Sequence, residues 1–145
     1  LVKILTMNVT TILLVEDDYL DVIDIRRSLD KMNVLYNLHI AKNGEEAIDM
    51  LNGNVEPRLT VLPDVILVDI NMPKMNGLEF LGELRANPKW KDLKCFIITT
   101  SDEKIDRQTA KDLGVAGYII KPLKLNSASM DAFNLMIDLM NSKIQ

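Results

Sequence analysis

The chain is poor in cysteine, in clustered positive charge and in long apolar runs. With a single cysteine, Cys95, the chain cannot form an internal disulfide, and this favours the cytoplasm. The apolar residues around Cys95 predict that it is a small buried packing residue. The 17 basic residues form no cluster and are outnumbered by 21 acidic ones, which argues against direct nucleic-acid binding. The apolar residues 1–9 are far fewer than the ~20 that a membrane span needs. We therefore expect no membrane insertion.

Length and composition predict one domain. Of the 145 residues, 48% are hydrophobic and 26% are charged, and no low-complexity stretch interrupts them. A chain of this size is long enough to bury one core. We expect residues 1–10 to be an N-terminal extension and residues 11–145 to be a single domain with no effector domain attached.

The stretch 64–77, DVILVDINMPKMNG, organises the rest of the chain. Its β-branched block Val65–Val68 suits a strand that is covered on both faces, and the proline and glycine residues that follow break regular structure. Asp69 is therefore predicted at the carboxyl end of a buried strand. In open α/β sheets this edge is where ligands bind.

Strand-like and helix-like patterns alternate along the chain. The predicted strands are Thr11–Val15, Leu38–Ala41, Val65–Val68, Cys95–Ile98 and Gly117–Ile120. A first helix begins at Tyr19 with Val22, Ile25, Leu29 and Met32 on one face, and further helices are predicted at Glu45–Leu51, Leu78–Ala86, Glu103–Leu113 and Asn126–Asn141. This alternation predicts an α/β fold with a doubly wound, five-stranded parallel sheet.

Two helices and one connection carry more specific expectations. The fourth helix is polar, so we expect it to be loosely held, with Ile105, Ala110 and Leu113 as its apolar anchors. The fifth helix has more apolar residues than one core-facing stripe requires: Met130, Ala132, Phe133, Leu135, Met136, Ile137, Leu139 and Met140. We expect the surplus to be exposed and to mark an interface. The long connection Asn52–Pro63 is expected to carry surface contacts of its own.

Polar residues collect at the carboxyl ends of the predicted strands: Glu16 and Asp17, Asp69, Thr99 and Lys121. Crowded carboxylates repel one another, and a bound cation relieves that repulsion. Oxygen ligands without a histidine or cysteine cluster favour a hard ion, Mg²⁺ or Mn²⁺. A lysine and a threonine hydroxyl supply the counter-charge and the hydrogen-bond donor that a phosphoryl group needs. The pattern indicates phosphoryl transfer onto a carboxylate.

Taken singly, each of these residues has a plainer explanation. An aspartate at a strand end is more often a turn former or helix cap than a nucleophile, and an acidic pair after a strand is usually a solvated helix N-terminus. Their joint occurrence at the same end of successive strands favours the functional interpretation. The lone His39, on the predicted second strand, is interpreted as a packing or surface residue.

The chain resembles the receiver domain of two-component response regulators over residues 11–141. The matching motifs are LLVEDD at 13–18, VDINMPKMNG at 68–77, IITTS at 97–101 and GYIIKP at 117–122. The resemblance implies a flavodoxin-like (βα)5 fold with strand order 2-1-3-4-5. It also implies a protein that is phosphorylated by a partner histidine kinase and that assists its own phosphorylation and dephosphorylation, but is not an enzyme.

The resemblance also implies a role for each matching residue. Glu16 and Asp17 hold Mg²⁺, Asp69 binds the ion and accepts the phosphoryl group, and Asn71 contributes its backbone carbonyl to the metal. Thr99 and Lys121 contact the phosphoryl oxygens. Tyr118 matches an aromatic residue that turns inward when Thr99 moves toward the phosphate.

Two features depart from the usual pattern of the family. Leu123 stands where many receivers have phenylalanine, and the Asn52–Pro63 connection is longer than in the chemotaxis-type member. Together with the TTS after the fourth strand, the long loops are similar to the small stand-alone regulators that partner phytochrome kinases. We expect a phosphorylation-biased change of the 99–141 surface, with association through the 103–141 face as a homodimer or with the kinase.

Two other classes are weighed against the receiver. A Mg²⁺-dependent phosphohydrolase that passes through an aspartyl phosphate would place a second aspartate two residues after the first, where this chain has Asn71, and no cap domain is present in the sequence. A flavin mononucleotide binder would need a phosphate-binding loop after the first strand. The acidic residues 16–18 would repel that phosphate.

Overall fold

The structure, a computed structural model, describes residues 9–32, 34–54, 59, 61–123 and 128–142. Its strands are β1 (Val9–Val15), β2 (Leu35–Ala41), β3 (Val65–Val68), β4 (Cys95–Thr99) and β5 (Gly117–Ile120). Its helices are α1 (Tyr19–Asp30), α2 (Gly44–Asn52), α3 (Gly77–Ala86), α4 (Lys104–Asp112) and α5 (Ala128–Ser142). The alternation predicted from the sequence is confirmed.

The five strands form one parallel sheet in the order β2-β1-β3-β4-β5. This is the order that the resemblance implied. β2 lies on one side of β1, and the later strands are added on the other side. β1 and β3 are therefore neighbours in the sheet, with Val15 opposite Val68. The residues that follow these two strands therefore emerge next to each other.

The sheet separates two apolar layers because successive side chains of a strand point to opposite faces. Ile12 and Leu14 face one side with α1 and α5, and Leu13 and Val15 face the other with α2, α3 and α4. β3 is buried on both faces, as its unbroken apolar sequence predicts. Cys95 is fully buried in the second layer, which confirms its role as a packing residue.

Side-chain caps set where three helices begin. Asp18 accepts hydrogen bonds from the backbone N–H groups of Leu20 and Asp21, so α1 begins directly after the acidic loop. Asn43 caps α2, and Asn76 forms a capping box with Glu79 at the start of α3. α4 has no side-chain cap hydrogen bond at Glu103, and it ends before Gly114, whose φ of +74° suits glycine.

Several expectations about element bounds and faces are corrected. β2 begins at Leu35 rather than Leu38, and β1 begins at Val9 rather than Thr11. Ile105 was expected to anchor α4, but it is 71% exposed. At about 100° per residue it lies some 140° around the helix from the buried Ala110, so the two cannot share one apolar face.

One apolar stripe of α5 packs into the core. Phe133, Met136, Ile137 and Met140 are buried, Met130 packs against them, and only Leu135 among the described side chains of the set is exposed, at 48%. The side chains of Ala132 and Leu139 lie outside the described residues, as do residues 55–58 and 60 of the long connection and Asn126. These buried residues follow the spacing of one helical stripe, and Leu135 is the described side chain of the set that lies outside it, so a broad exposed apolar surface on α5 stays a prediction.

No helix in the described ranges is long and apolar enough to cross a membrane.

Candidate functional site

The acidic residues meet because β1 and β3 are paired in register. Glu16 and Asp17 follow Val15, and Asp69 follows Val68, the residue opposite Val15. The pairing continues past the strand ends, since the backbone N–H of Asp69 donates to the carbonyl of Val15 at 3.0 Å. The carboxylates are thereby held side by side at the carboxyl edge of the sheet.

Glu16, Asp17 and Asp69 form one cluster, in which a carboxylate oxygen from each lies within 4.8 Å of the others. Glu16 is 1% exposed and Asp69 is 6% exposed, whereas Asp17 faces solvent. Oδ1 of Asp69 is buried and has no hydrogen-bond partner among the described residues. A buried carboxylate oxygen without a partner is unfavourable for folding alone, which points to a bound partner in the working protein.

Lys121 reaches the cluster from the end of β5. Its ammonium Nζ lies 2.7 Å from Glu16 Oε1, 2.7 Å from Asp21 Oδ2 and 3.5 Å from Asp69 Oδ2. The Lys121 side chain is only 10% exposed, so these contacts are sheltered from solvent. One cation thus faces three carboxylates.

Burial perturbs the proton affinities of this group. Burial raises the pKa of Glu16 to about 7, and the neighbouring Asp69 charge adds to that rise, while the bond from Lys121 opposes it. For Lys121 burial works toward a lower pKa, but the hydrogen bonds to Asp21 and Glu16 more than offset it and raise the pKa above its ordinary value. The lysine therefore carries its full charge at neutral pH.

Thr99 and Asn71 lie in the same region. Thr99 is the last residue of β4, not the first residue after it, and it is fully buried. Its carbonyl accepts the backbone N–H of Lys121 at 2.8 Å, which joins the ends of β4 and β5. Asn71 is exposed in the loop two residues beyond Asp69.

The loop after Asp69 folds back tightly onto the strand end. The backbone N–H of Gly77 donates to the carbonyl of Ile70 at 2.9 Å, and a Cβ atom added at Gly77 would lie 2.1 Å from the carbonyl oxygen of Asp69. Only glycine leaves room for this approach. The start of α3 therefore packs directly against the backbone of Asp69.

Tyr118 is a half-buried residue of β5 whose side chain contacts the segment before α4 and α4 itself. Its hydroxyl donates to the carbonyl of Ser101 at 3.0 Å, and the guanidinium of Arg107 lies 4.7 Å from the ring centroid. Asp102 anchors that guanidinium with an Oδ1 to Nε distance of 2.6 Å. Burial raises the pKa of the Tyr118 phenol. These contacts hold the tyrosine side chain against the segment that follows Thr99.

Sequence reasoning missed Asp21 and Ser101. Asp21 was not among the predicted site residues, yet its carboxylate binds Lys121. The available signal was its position in the first turn of α1, four residues after Asp17, which brings it back over the strand end. Ser101 connects two expected residues, since its N–H donates to Thr99 Oγ1 at 3.3 Å and its carbonyl accepts from Tyr118.

Fold and site together define a class: a doubly wound α/β domain with a carboxylate cluster and a buried lysine at the carboxyl edge of its sheet. A family model described as the response regulator receiver domain matches residues 12–129. The chain belongs to that family, as its motifs indicated.

The similarity to known proteins covers between about half and nearly all of this chain, depending on the relative. The chain is 39% identical over 82 residues to a chemotaxis protein CheY homolog of Campylobacter jejuni, covering 57% of this chain and 58% of that protein. The phosphorylated cyanobacterial phytochrome response regulator RcpA superposes with a TM-score of 0.79 at 28% identity, covering 92% of this chain and 95% of that one.

The Mn²⁺-bound form of response regulator Rcp1 superposes with a TM-score of 0.72 at 30% identity, covering 90% of this chain and 91% of that one. The curated relatives are longer than the matched region, which spans between 13% and 61% of their lengths.

Proposed function

We propose that this receiver domain accepts a phosphoryl group on Asp69 from a histidine kinase, in a reaction that depends on Mg²⁺. The observation that carries the proposal is the buried Oδ1 of Asp69, which has no hydrogen-bond partner in the described part of the chain and lies in a carboxylate cluster beside the Lys121 ammonium. A free carboxylate oxygen is the nucleophile that phosphoryl transfer to an aspartate requires. Membership of the receiver family supports the same assignment.

The donor set fits a hard divalent cation. Three carboxylates from Glu16, Asp17 and Asp69 converge within 4.8 Å, with no histidine or cysteine in the cluster. In this proposal they hold Mg²⁺ together with the backbone carbonyl of Asn71. When bound, the ion supplies positive charge that offsets the carboxylates and the phosphoryl oxygens. The Mn²⁺-bound form of the related Rcp1 is consistent with a divalent ion in a receiver of this kind.

The protein's own groups then act on the phosphoryl donor. A carboxylate oxygen of Asp69 attacks phosphorus, an O–P bond forms, and the N–P bond of the kinase's phosphohistidine breaks with its electron pair returning to the imidazole. Lys121 and the Thr99 hydroxyl contact the phosphoryl oxygens and stabilise the charge on them. The product is an acyl phosphate, which the same site later exposes to hydrolysis.

The conformational change caused by phosphorylation is proposed to pass from Thr99 to Tyr118. Thr99 is joined to Ser101 by a hydrogen bond, and Ser101 accepts the hydroxyl of Tyr118, so movement of Thr99 toward a phosphoryl group disturbs the contacts of Tyr118. Arg107 lies on α4, so the disturbance reaches that helix. The result is a phosphorylation-biased change of the 99–141 surface.

The partner is proposed to be a phytochrome-type histidine kinase in the cytoplasm. The similarity to the phytochrome response regulator RcpA supports this choice. Association through the 103–141 face, as a homodimer or with the kinase, stays part of the proposal, although its apolar basis is reduced to exposed residues such as Ile105 and Leu135. Light scattering with and without beryllofluoride, a phosphoryl mimic, tests it; a monomer in both states would exclude the homodimer.

Incubation with acetyl phosphate and Mg²⁺ tests the proposed reaction. We expect one label per chain in the wild type, none in Asp69→Asn, and full labelling in the control Asp92→Asn, which alters an exposed residue away from the cluster. Many turnovers of acetyl phosphate without a stable label would instead indicate a phosphohydrolase. Full labelling of Asp69→Asn would contradict the assignment of the acceptor.

A further inference from the structure

Asp21 shares the ammonium of Lys121 with the acidic cluster but does not belong to that cluster. Its Oδ2 lies 2.7 Å from Lys121 Nζ, as close as Glu16 Oε1. The cluster found among the described residues contains Glu16, Asp17 and Asp69 only. Asp21 is therefore the carboxylate neighbour of Lys121 that remains free to hold it when the cluster binds a cation.

The ammonium has three donors, and the structure accounts for how they are distributed. Two hydrogen bonds run to Glu16 and Asp21, and Asp69 Oδ2 lies 3.5 Å from the ammonium. If Glu16 turns its oxygens toward a metal ion, its bond to Lys121 weakens. The bond to Asp21 then decides where the ammonium lies relative to Asp69.

We propose that Asp21 is a positioning residue that anchors the Lys121 ammonium beside the phosphoryl-binding position of Asp69. The inference rests on the proposed function of Asp69 and adds to it a residue of α1. Lysine has a long, flexible side chain that loses much rotamer freedom when it is fixed. An anchor that fixes it before the phosphoryl group arrives removes that entropy loss from the reaction itself.

The contact differs from an ordinary surface ion pair. Exposed pairs contribute little because water and salt screen them. Here the Lys121 side chain is 10% exposed and the Asp21 side chain 30% exposed, and both line a cavity of about 500 Å³ between α1 and the end of β5. A hydrogen bond between charged groups in such a sheltered position is strong and directional.

The test compares Asp21→Ala and Asp21→Glu with Asp24→Ala. Asp24 lines the same cavity and carries the same charge, but it is exposed, so its variant controls for the loss of one negative charge near the site. We expect Asp21→Ala to weaken beryllofluoride binding and to slow labelling by acetyl phosphate, each by about tenfold. Asp21→Glu should recover part of both losses, and Asp24→Ala should lose neither.

A second readout uses the protein without metal or phosphoryl donor. The Lys121 ammonium should give a slowly exchanging ¹H–¹⁵N signal in the wild type and in Asp24→Ala, and this signal should shift and exchange faster in Asp21→Ala, where the bond to Glu16 remains but the bond to Asp21 is lost. Mg²⁺ affinity measured by calorimetry should change by less than about twofold in Asp21→Ala, because Asp21 is outside the cluster.

The outcomes separate this inference from the proposed function. Equal labelling, equal beryllofluoride affinity and an unchanged ammonium signal in Asp21→Ala and Asp24→Ala would overturn the anchoring role while leaving Asp69 as the acceptor. Tighter beryllofluoride binding in Asp21→Ala would also overturn it, since Asp21 would then compete with the phosphoryl group for Lys121. If the wild type takes no label at all, the proposed function itself fails, and the ammonium signal still reports whether Asp21 holds Lys121.

Discussion

Glu16 is expected to destabilise the metal-free protein at neutral pH. Burial raises its pKa from 4.5 to about 7. Each pH unit of such a rise corresponds to about 1.4 kcal/mol, so the charged form is disfavoured in the folded chain by about 3 kcal/mol relative to the unfolded chain. This figure already includes the attraction of Lys121, which opposes the rise. Replacing the carboxylate by a neutral amide of the same shape removes the penalty.

The direction in which stability changes with pH depends on whether the folded or the unfolded chain binds the proton more tightly. Between pH 4.5 and about 7 the folded chain keeps a proton on Glu16 that the unfolded chain has lost, so the free energy of unfolding falls as pH rises through this range. Below pH 4.5 both states are protonated and Glu16→Gln should match the wild type. At pH 8 the variant should be more stable, by about 1–3 kcal/mol.

Urea unfolding in the presence of a chelator measures this difference. Trp90 is the only tryptophan and is 4% exposed, so its fluorescence should report the loss of the core. Glu83→Gln, which alters an exposed residue of α3, serves as the control and should show no pH-dependent gain. A variant that is less stable than the wild type at pH 8, or a difference that is the same at pH 4.5 and pH 8, would refute the reasoning.

Adding Mg²⁺ should make the wild type more stable to unfolding than the variants that lack the Glu16 carboxylate. In the proposed site Mg²⁺ at about 1,000 times its dissociation constant stabilises the wild type by about 4.1 kcal/mol, which exceeds the penalty of about 3 kcal/mol. The double variant Glu16→Gln with Asp17→Asn should keep its fold but gain none of this stabilisation. The same carboxylates would then be unfavourable without the ion and favourable with it.

Three further predictions follow from packing and burial. Burial raises the pKa of the Cys95 thiol to about 11, so at pH 8 iodoacetamide should label the folded protein at least about 100-fold more slowly than the urea-unfolded chain; equal rates would show that the thiol is accessible. Gly77→Ala should lower the free energy of unfolding by about 3 kcal/mol, whereas Gly82→Ala in the same helix, where a Cβ meets nothing within 4 Å, should raise it by about 0.5 kcal/mol. Two losses of similar size would contradict the close approach at Gly77. Tyr118→Phe should cost about 1 kcal/mol through the lost bond to Ser101, measured against Tyr19→Phe, whose ring is 74% exposed and whose substitution should be neutral.

The sheet and the acidic edge were predictable because they depend on local pattern. An unbroken apolar block such as Val65–Val68 predicts a strand covered on both faces, and parallel strands place their following residues at one edge. Asp69 and Lys121 could therefore be assigned to one edge from the sequence, and the structure places them 3.5 Å apart. Most strand and helix positions followed from the same periodicity.

What the sequence could not predict depends on how helices rotate and how long side chains reach. Ile105 was assigned inward because α4 has few apolar residues, but the burial of Ala110 sets the face that packs, and Ile105 lies outside it. Asp21 was not recognised because its role depends on the reach of Lys121 from a strand 100 positions away.

The contact between Glu16 and Lys121 joins residues that are 105 positions apart in the chain. Contacts of this separation form late in folding because they require a large loop to close. During synthesis, Glu16 and Asp69 leave the ribosome before the segment that carries Lys121, so an emerging chain holds the carboxylates without their cation. If Asp69 is the acceptor, as proposed, its site is complete only once the last strand of the sheet has brought Lys121 to the carboxylates.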